Sequence, residues 1–159
     1  LRDWGQEVKY EHRMLAFNAR MDGFQGAVLR VKLPHLEAWT QARRALAARY
    51  AARLAEGPVA PPRELPGRRH VWHCYTVRVP DRPRVQKALA ERGVGSGVVY
   101  PIPLHRQPLF AGRGLGPGSF PEAERAAEEV LSLPLYPGLA EDAVDRVATA
   151  LREALTPVR

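Results

Sequence analysis

The feature that most constrains this chain is a helical pattern at its front with no strand pattern to cover it. Asp22 stands at a cap position and Gln25 three residues on, the spacing of a capping box. Phe24, Ala27, Val28 and Val31 follow at i, i+3, i+4 and i+7, which places them on one side of a helix. Pro34 interrupts the pattern. It resumes through Leu36, Trp39, Leu46, Tyr50 and Leu54 and stops at Gly57-Pro58. Short helices draw most of their stability from packing against something else. The pattern therefore predicts helices over 22–33 and 35–55 that belong to the edge of a larger domain and pack poorly by themselves.

Pro58, Pro61, Pro62 and Pro66 mark residues 57–69 as a linker. Beyond it the period changes. Val71–Val79 is β-branched and aromatic and reads as a strand. Asp81 is placed to cap a helix with Pro83 in its first turn, Val85, Ala88 and Leu89 on its inner face and Gly93 as its stop. Gly95–Tyr100 reads as a second strand. Residues 101–118 form a long loop rich in proline and glycine, a length that in compact domains accompanies function or mobility. A helix over 121–131, a short third strand over 133–136 and a last helix from about Glu141 complete the pattern. That last helix carries Val144, Val147, Ala148, Leu151 and Leu155 as its stripe. The chain thus divides into a helical part (1–56), a linker (57–69) and a small α/β domain with a short sheet (70–159).

Charge and composition narrow the function. The net charge of +7 raises nucleic acid as a partner. The arginines, however, are spread along the chain, and only Arg43-Arg44 and Arg68-Arg69 cluster, with no basic–aromatic alternation and no zinc-finger or helix-turn-helix signature. No nucleic-acid role is expected. No window is apolar enough to span a bilayer, so no membrane partner is expected either. Cys74, the one cysteine, lies in the apolar run 71–79; it reads as a buried thiol and fits a reducing, cytoplasmic setting. His70 and His73 point to opposite faces of a strand, so no metal site is expected; one should sit at the strand entrance and the other packed or bonded in the sheet. Gly112–Gly118 is read as a flexible loop and not a phosphate cradle. His105 stands in Tyr100-Pro101-Ile102-Pro103-Leu104-His105, where two prolines stiffen the backbone. It is either an exposed loop histidine or, with Tyr100, part of a polar recognition site. Lys9, Lys32 and Lys87 are the three lysines.

Several segments resemble, in order, the DegT/StrS group of pyridoxal-phosphate (PLP) nucleotide-sugar aminotransferases. They are Leu1–Gln6, Lys9–His12, Phe17–Ala27, Leu29–Pro34, His70–Tyr75, Gly93–Gly97, Tyr100–Pro108 and Leu133–Leu139. The resemblance implies the C-terminal portion of a fold-type-I aminotransferase: a small α+β domain with a short sheet, plus helices from the edge of the large PLP-binding domain. It implies a homodimer that moves an amino group from L-glutamate to a keto sugar linked to a nucleotide. The Schiff-base lysine of the family lies upstream of the Leu1–Gln6 segment, and none of the three lysines here matches its context, so no catalytic residue is assigned and this chain alone is expected to be inactive. Asn18 matches the asparagine that reaches the cofactor phosphate of the other subunit. Arg20 matches an arginine near substrate phosphate, and Tyr100 and His105 match the loop on the sugar-nucleotide side. Ala19 replaces a usual aromatic, and Val99 stands where a histidine often precedes the Tyr-Pro pair; both bear on the substrate. The alternatives are a non-catalytic remnant or dimerisation module of the same fold and, third, a regulator.

Overall fold

A computed structural model of the chain describes residues 3–55 and 57–156. Leu1 and Arg2 of the first motif, Glu56 at the end of the helical part and residues 157–159 lie outside the described residues. The chain forms two compact units, Leu1–Glu37 and Ala38–Arg159.

The first unit opens with an element the polar, aperiodic sequence of residues 1–21 does not announce. Strands β1 (Gln6–Val8) and β2 (Glu11–His12) pair antiparallel, and Asp3 and Asn18 form a further antiparallel bridge. Gly5 is required here. Its φ is +68°, and a Cβ would lie 2.2 Å from the Met14 carbonyl oxygen. Helix α1 (Gly23–Lys32) begins where the capping pattern places it, with the Asp22 amide donating to Gln25 Oε1 at 3.3 Å. None of its residues is buried. A 3-10 turn, Leu33–His35, carries Pro34 and leads into α2 (Leu36–Leu54).

The boundary between the units falls in the first turn of α2, not in the proline-rich 57–69 segment. The reason lies in the second half of α2. Leu46, Ala47, Tyr50 and Leu54 are buried in the same core as the sheet and the later helices. Poor packing thus describes α1 and not α2. The proline-rich segment is fastened as well. Arg44 makes a two-pronged bond to Glu64, at 2.8 and 2.9 Å, and also donates to the His70 carbonyl; Arg43 donates to the Val71 carbonyl.

The sheet of the second unit is smaller than its sequence pattern. Strand β3 spans Tyr75–Arg78 and pairs antiparallel with β4, Val130–Leu133, with Tyr75 opposite Leu133 and Val77 opposite Leu131. Residues 71–74 are not strand, so the alternation begins at Tyr75. Tyr75, Val77 and Val79 face the core, and Cys74 and His73 are exposed. The expectations of a buried thiol and of a histidine held in the sheet are corrected on this ground. Gly95–Tyr100 contributes an isolated bridge, Gly97 to Ser132, rather than a strand. The strand expected over 133–136 lies earlier, because Pro134 has no amide to offer a ladder. Its first residues take the end of the predicted 121–131 helix, and α4 is Pro121–Glu129.

Helix α3 (Arg82–Glu91) ends in a Schellman cap: Val94 N–H donates to Leu89 O and Gly93 N–H to Ala90 O, with Gly93 at φ +72°. Asp81 precedes α3 but makes no side-chain cap bond; its carboxylate pairs with Arg84 at 3.2 Å instead. Helix α5 (Glu141–Leu155) buries Val144, Val147, Ala148 and Leu151 as its stripe requires. Arg49 and Arg53 of α2 converge on Asp145 of α5 at 2.8–2.9 Å, which holds that carboxyl well below the usual carboxylate range. No helix among the described residues is long and apolar enough to cross a membrane.

Two predictions follow from this packing. Leu54 is 1% exposed and Phe24 81%. Leu54→Ala should lower unfolding free energy by about 2–5 kcal/mol and Phe24→Ala by less than about 0.5 kcal/mol, measured by urea denaturation. Glu64 titrates at about 2 in the fold, lowered first by the Arg44 bond and then by the His70 amide, against an ordinary 4.5. Its contribution is therefore complete above pH about 4.5 and is lost as pH falls toward 2. The stability gap between the protein and Glu64→Gln should shrink over that interval and be constant at neutral pH.

Candidate functional site

Two groups of candidate residues sit in different units. In the first, the Asp3–Asn18 bridge and the bond from Trp4 N–H to the Phe17 carbonyl, 3.1 Å, hold the segment carrying Asn18 beside Asp3 and Trp4. Arg20 Nε donates to Asn18 Oδ1 at 3.1 Å and stands 3.8 Å from Asp3 Oδ1. All three side chains are exposed. With Oδ1 occupied by Arg20, the amide Nδ2 of Asn18 is the atom left to donate outward, beside a guanidinium. An amide donor and a guanidinium fork on one exposed surface are a fitting pair for a phosphate group, and Asp3 offsets part of the positive charge.

In the second unit, Tyr100 is exposed and His105 is 8% exposed. The loop carrying them is ordered by two 3-10 turns, Leu104–Arg106 and Pro108–Arg113. His105 Nε2 lies 2.8 Å from Glu124 Oε1, and its ring packs against Phe120 at 4.9 Å between centroids. A carboxylate only accepts, so Nε2 carries the proton. The exposed loop histidine that the sequence allows is in fact buried. The same Glu124 carboxylate accepts the Gly118 amide at 2.9–3.0 Å and the Phe120 amide at 3.4 Å. These bonds, the Gly118 amide foremost and His105 after it, hold its pKa below the usual carboxylate range. The glycine-rich segment is therefore tied at its end. Beside the His105–Glu124 pair lies a cleft of about 340 Å³ lined by Leu104, His105, Phe110, Leu115, Phe120 and Ala123.

Nothing in the sequence marks Glu124. An acidic residue in the first turn of a helix is ordinary, and its pairing with a histidine nineteen positions away leaves no periodic trace. Of the lysines, Lys9 stands over the Tyr10 ring at 5.0 Å, Lys32 ends α1, and Lys87 lines a shallow cleft with Arg84, Glu91 and Glu153.

Comparison with known proteins extends this picture. The sequence model of the DegT/DnrJ/EryC1/StrS aminotransferase family matches residues 1–152. A protein of Geobacillus stearothermophilus named pleiotropic regulatory protein is 46% identical over 96% of this chain and 42% of its own length. The dTDP-3-amino-3,4,6-trideoxy-alpha-D-glucose transaminase of Streptomyces venezuelae is 42% identical over 96% of this chain and 41% of its own length. The crystal structure of S. venezuelae DesV in complex with a ketimine intermediate superposes on all of this chain and 43% of its own, with a TM-score of 0.92 and 41% identity. The chain thus spans about two fifths of the length of these relatives.

Proposed function

Because the chain belongs to the DegT/DnrJ/EryC1/StrS aminotransferase family, we propose that it is the C-terminal portion of a PLP-dependent aminotransferase that moves an amino group from L-glutamate to a keto sugar linked to a nucleotide. The observation that carries this reading is the 0.92 TM-score over the whole chain to a family member at 41% identity. The names of the relatives support the substrate class: they include transaminases of dTDP-linked sugars and a UDP-N-acetyl-3-dehydro-alpha-D-glucosamine 3-aminotransferase of Acidithiobacillus ferrooxidans. The parent is proposed to be a cytoplasmic homodimer.

The residues of this chain suit supporting roles. When bound, PLP supplies an electron sink for the carbon that gains or loses the amino group. Asn18 Nδ2 would donate to its phosphate across the dimer interface. Arg20, adjacent and exposed, would meet substrate phosphate as a two-pronged donor. Tyr100, exposed, would face the sugar nucleotide, with the buried His105 holding their loop in shape. The lysine that holds the cofactor is assigned to the parent and to none of Lys9, Lys32 and Lys87.

Two experiments test the reading. The 159-residue chain, mixed with PLP and reduced with borohydride, should carry no stoichiometric lysine adduct and no transaminase activity. One fully labelled lysine with turnover would overturn it. In the full-length parent, Asn18→Ala should cost about 1.5–3 kcal/mol of cofactor binding, or roughly ten- to a hundred-fold, as a lost bond to a charged group. Mixed dimers separate the trans contact from a local one. An Asn18→Ala subunit paired with a lysine-less subunit should retain PLP, because the partner supplies the asparagine. With both changes on one subunit, the remaining lysine-bearing site should release it. Equal retention in both pairings would make Asn18 a local structural residue.

A further inference from the structure

Tyr100 lies on an arc of chain that is fastened at two points. At its start, Gly97 exchanges both backbone bonds with Ser132 of β4, at 2.8 and 3.0 Å. At its end, His105 is fastened to Glu124 of α4 at 2.8 Å. Between them Pro101 and Pro103 fix their own φ angles, and Arg106 N–H closes the 3-10 turn on the Pro103 carbonyl at 2.9 Å. The arc has little freedom left once both ends are held. The first fastening is made by backbone and is indifferent to side-chain identity. The second depends on one carboxylate.

We propose that Glu124 is a positioning residue, which fixes Tyr100 for the sugar-nucleotide substrate by clamping His105 and the far end of the loop onto α4; this rests on the proposed function above. Helix capping alone does not account for its geometry. Its bond to the Phe120 amide at the start of α4 is the longest of its contacts, at 3.4 Å. Its shorter bonds go to Gly118 and to His105. The three contacts join the 3-10 turn at 104–106, the end of the glycine-rich segment and the start of α4 at one point. The His105 side chain is 7% exposed and that of Glu124 22%, so water competes poorly for the bond between them. Without the carboxylate, a buried imidazole N–H and the Gly118 amide lose their acceptor together, and the arc that ends at His105 is released.

The test has one arm on this chain and one on the full-length holoenzyme. In the chain, Glu124→Ala should speed exchange of the Gly118 and Phe120 amides by about tenfold or more and shift the His105 Nε2 resonance. Glu124→Gln, which keeps the side chain's size and one carbonyl oxygen, should retain part of the protection, and it keeps the test open if the alanine variant fails to fold. In the holoenzyme the alanine variant should raise KM for the nucleotide sugar about tenfold with kcat within about twofold, and the glutamine variant should lie between it and the unchanged enzyme. Unchanged amide exchange and an unchanged His105 signal in both variants would overturn the clamp itself. A lost clamp with KM unchanged, or with kcat falling alone, would overturn the positioning role. A full-length protein with no transaminase activity, in which Glu124→Ala still loses protection, would overturn the functional reading and with it the role of Tyr100, leaving the clamp as architecture.

Discussion

The second unit is organised around Tyr50. Its ring stacks on Tyr75 of β3 with centroids 4.8 Å apart, and its hydroxyl donates to the carbonyl of Pro134 just beyond β4 at 2.9 Å. One side chain of α2 therefore touches β3 and the residue that follows β4. Burial of this ring and its neighbours supplies the driving force, and the single hydrogen bond removes the cost of burying the phenol. Burial also pushes both phenols up, that of Tyr75 to about 12. Arg49 and Arg53 extend the same helix's hold to α5 through Asp145. A helix held at the sheet and at α5 cannot act as a linker, so the compact unit begins at Ala38.

The first unit shows the opposite economy. Phe17, Met21, Phe24, Val28, Leu29 and Val31 are exposed, and α1 buries nothing. The capping box and the pinned hairpin define its local conformation without a core. Cap bonds and turn geometry act over a few residues and do not require tertiary burial. It is on this locally specified surface that Asn18 and Arg20 stand side by side.

The loop from Tyr100 to Gly118 unites fold and proposed site. Prolines and two 3-10 turns shape it, and Glu124 fastens it. His105 is buried and its proton is committed to a carboxylate, so in the proposed site it suits a role in holding the loop better than an exposed contact to ligand. The loop's length and composition mark it in the sequence, while its order comes from a residue on the next helix.

Some of this protein is determined by sequence alone. The start of α1, the glycine stop of α3 and the apolar stripe of α5 follow from a capping box, a φ preference and a 3.6-residue period, all of which act within a few residues of chain. The ordered motifs from Asp3-Trp4-Gly5-Gln6 to Leu133–Leu139 also carry the family, because they are linear. Other features belong to tertiary structure. The period of two could not say that β3 starts at Tyr75, which leaves Cys74 exposed, because residues 71–75 carry no alternation and the start is set by pairing with β4. It could not say that α2 belongs to the later core, because the partners of Tyr50 lie 25 and 84 positions away. Nor could it find Glu124, whose contacts to His105 and Gly118 exist only once the loop has folded back onto α4. Short-range geometry is written in adjacent residues; which distant groups meet is decided by the burial that brings them together.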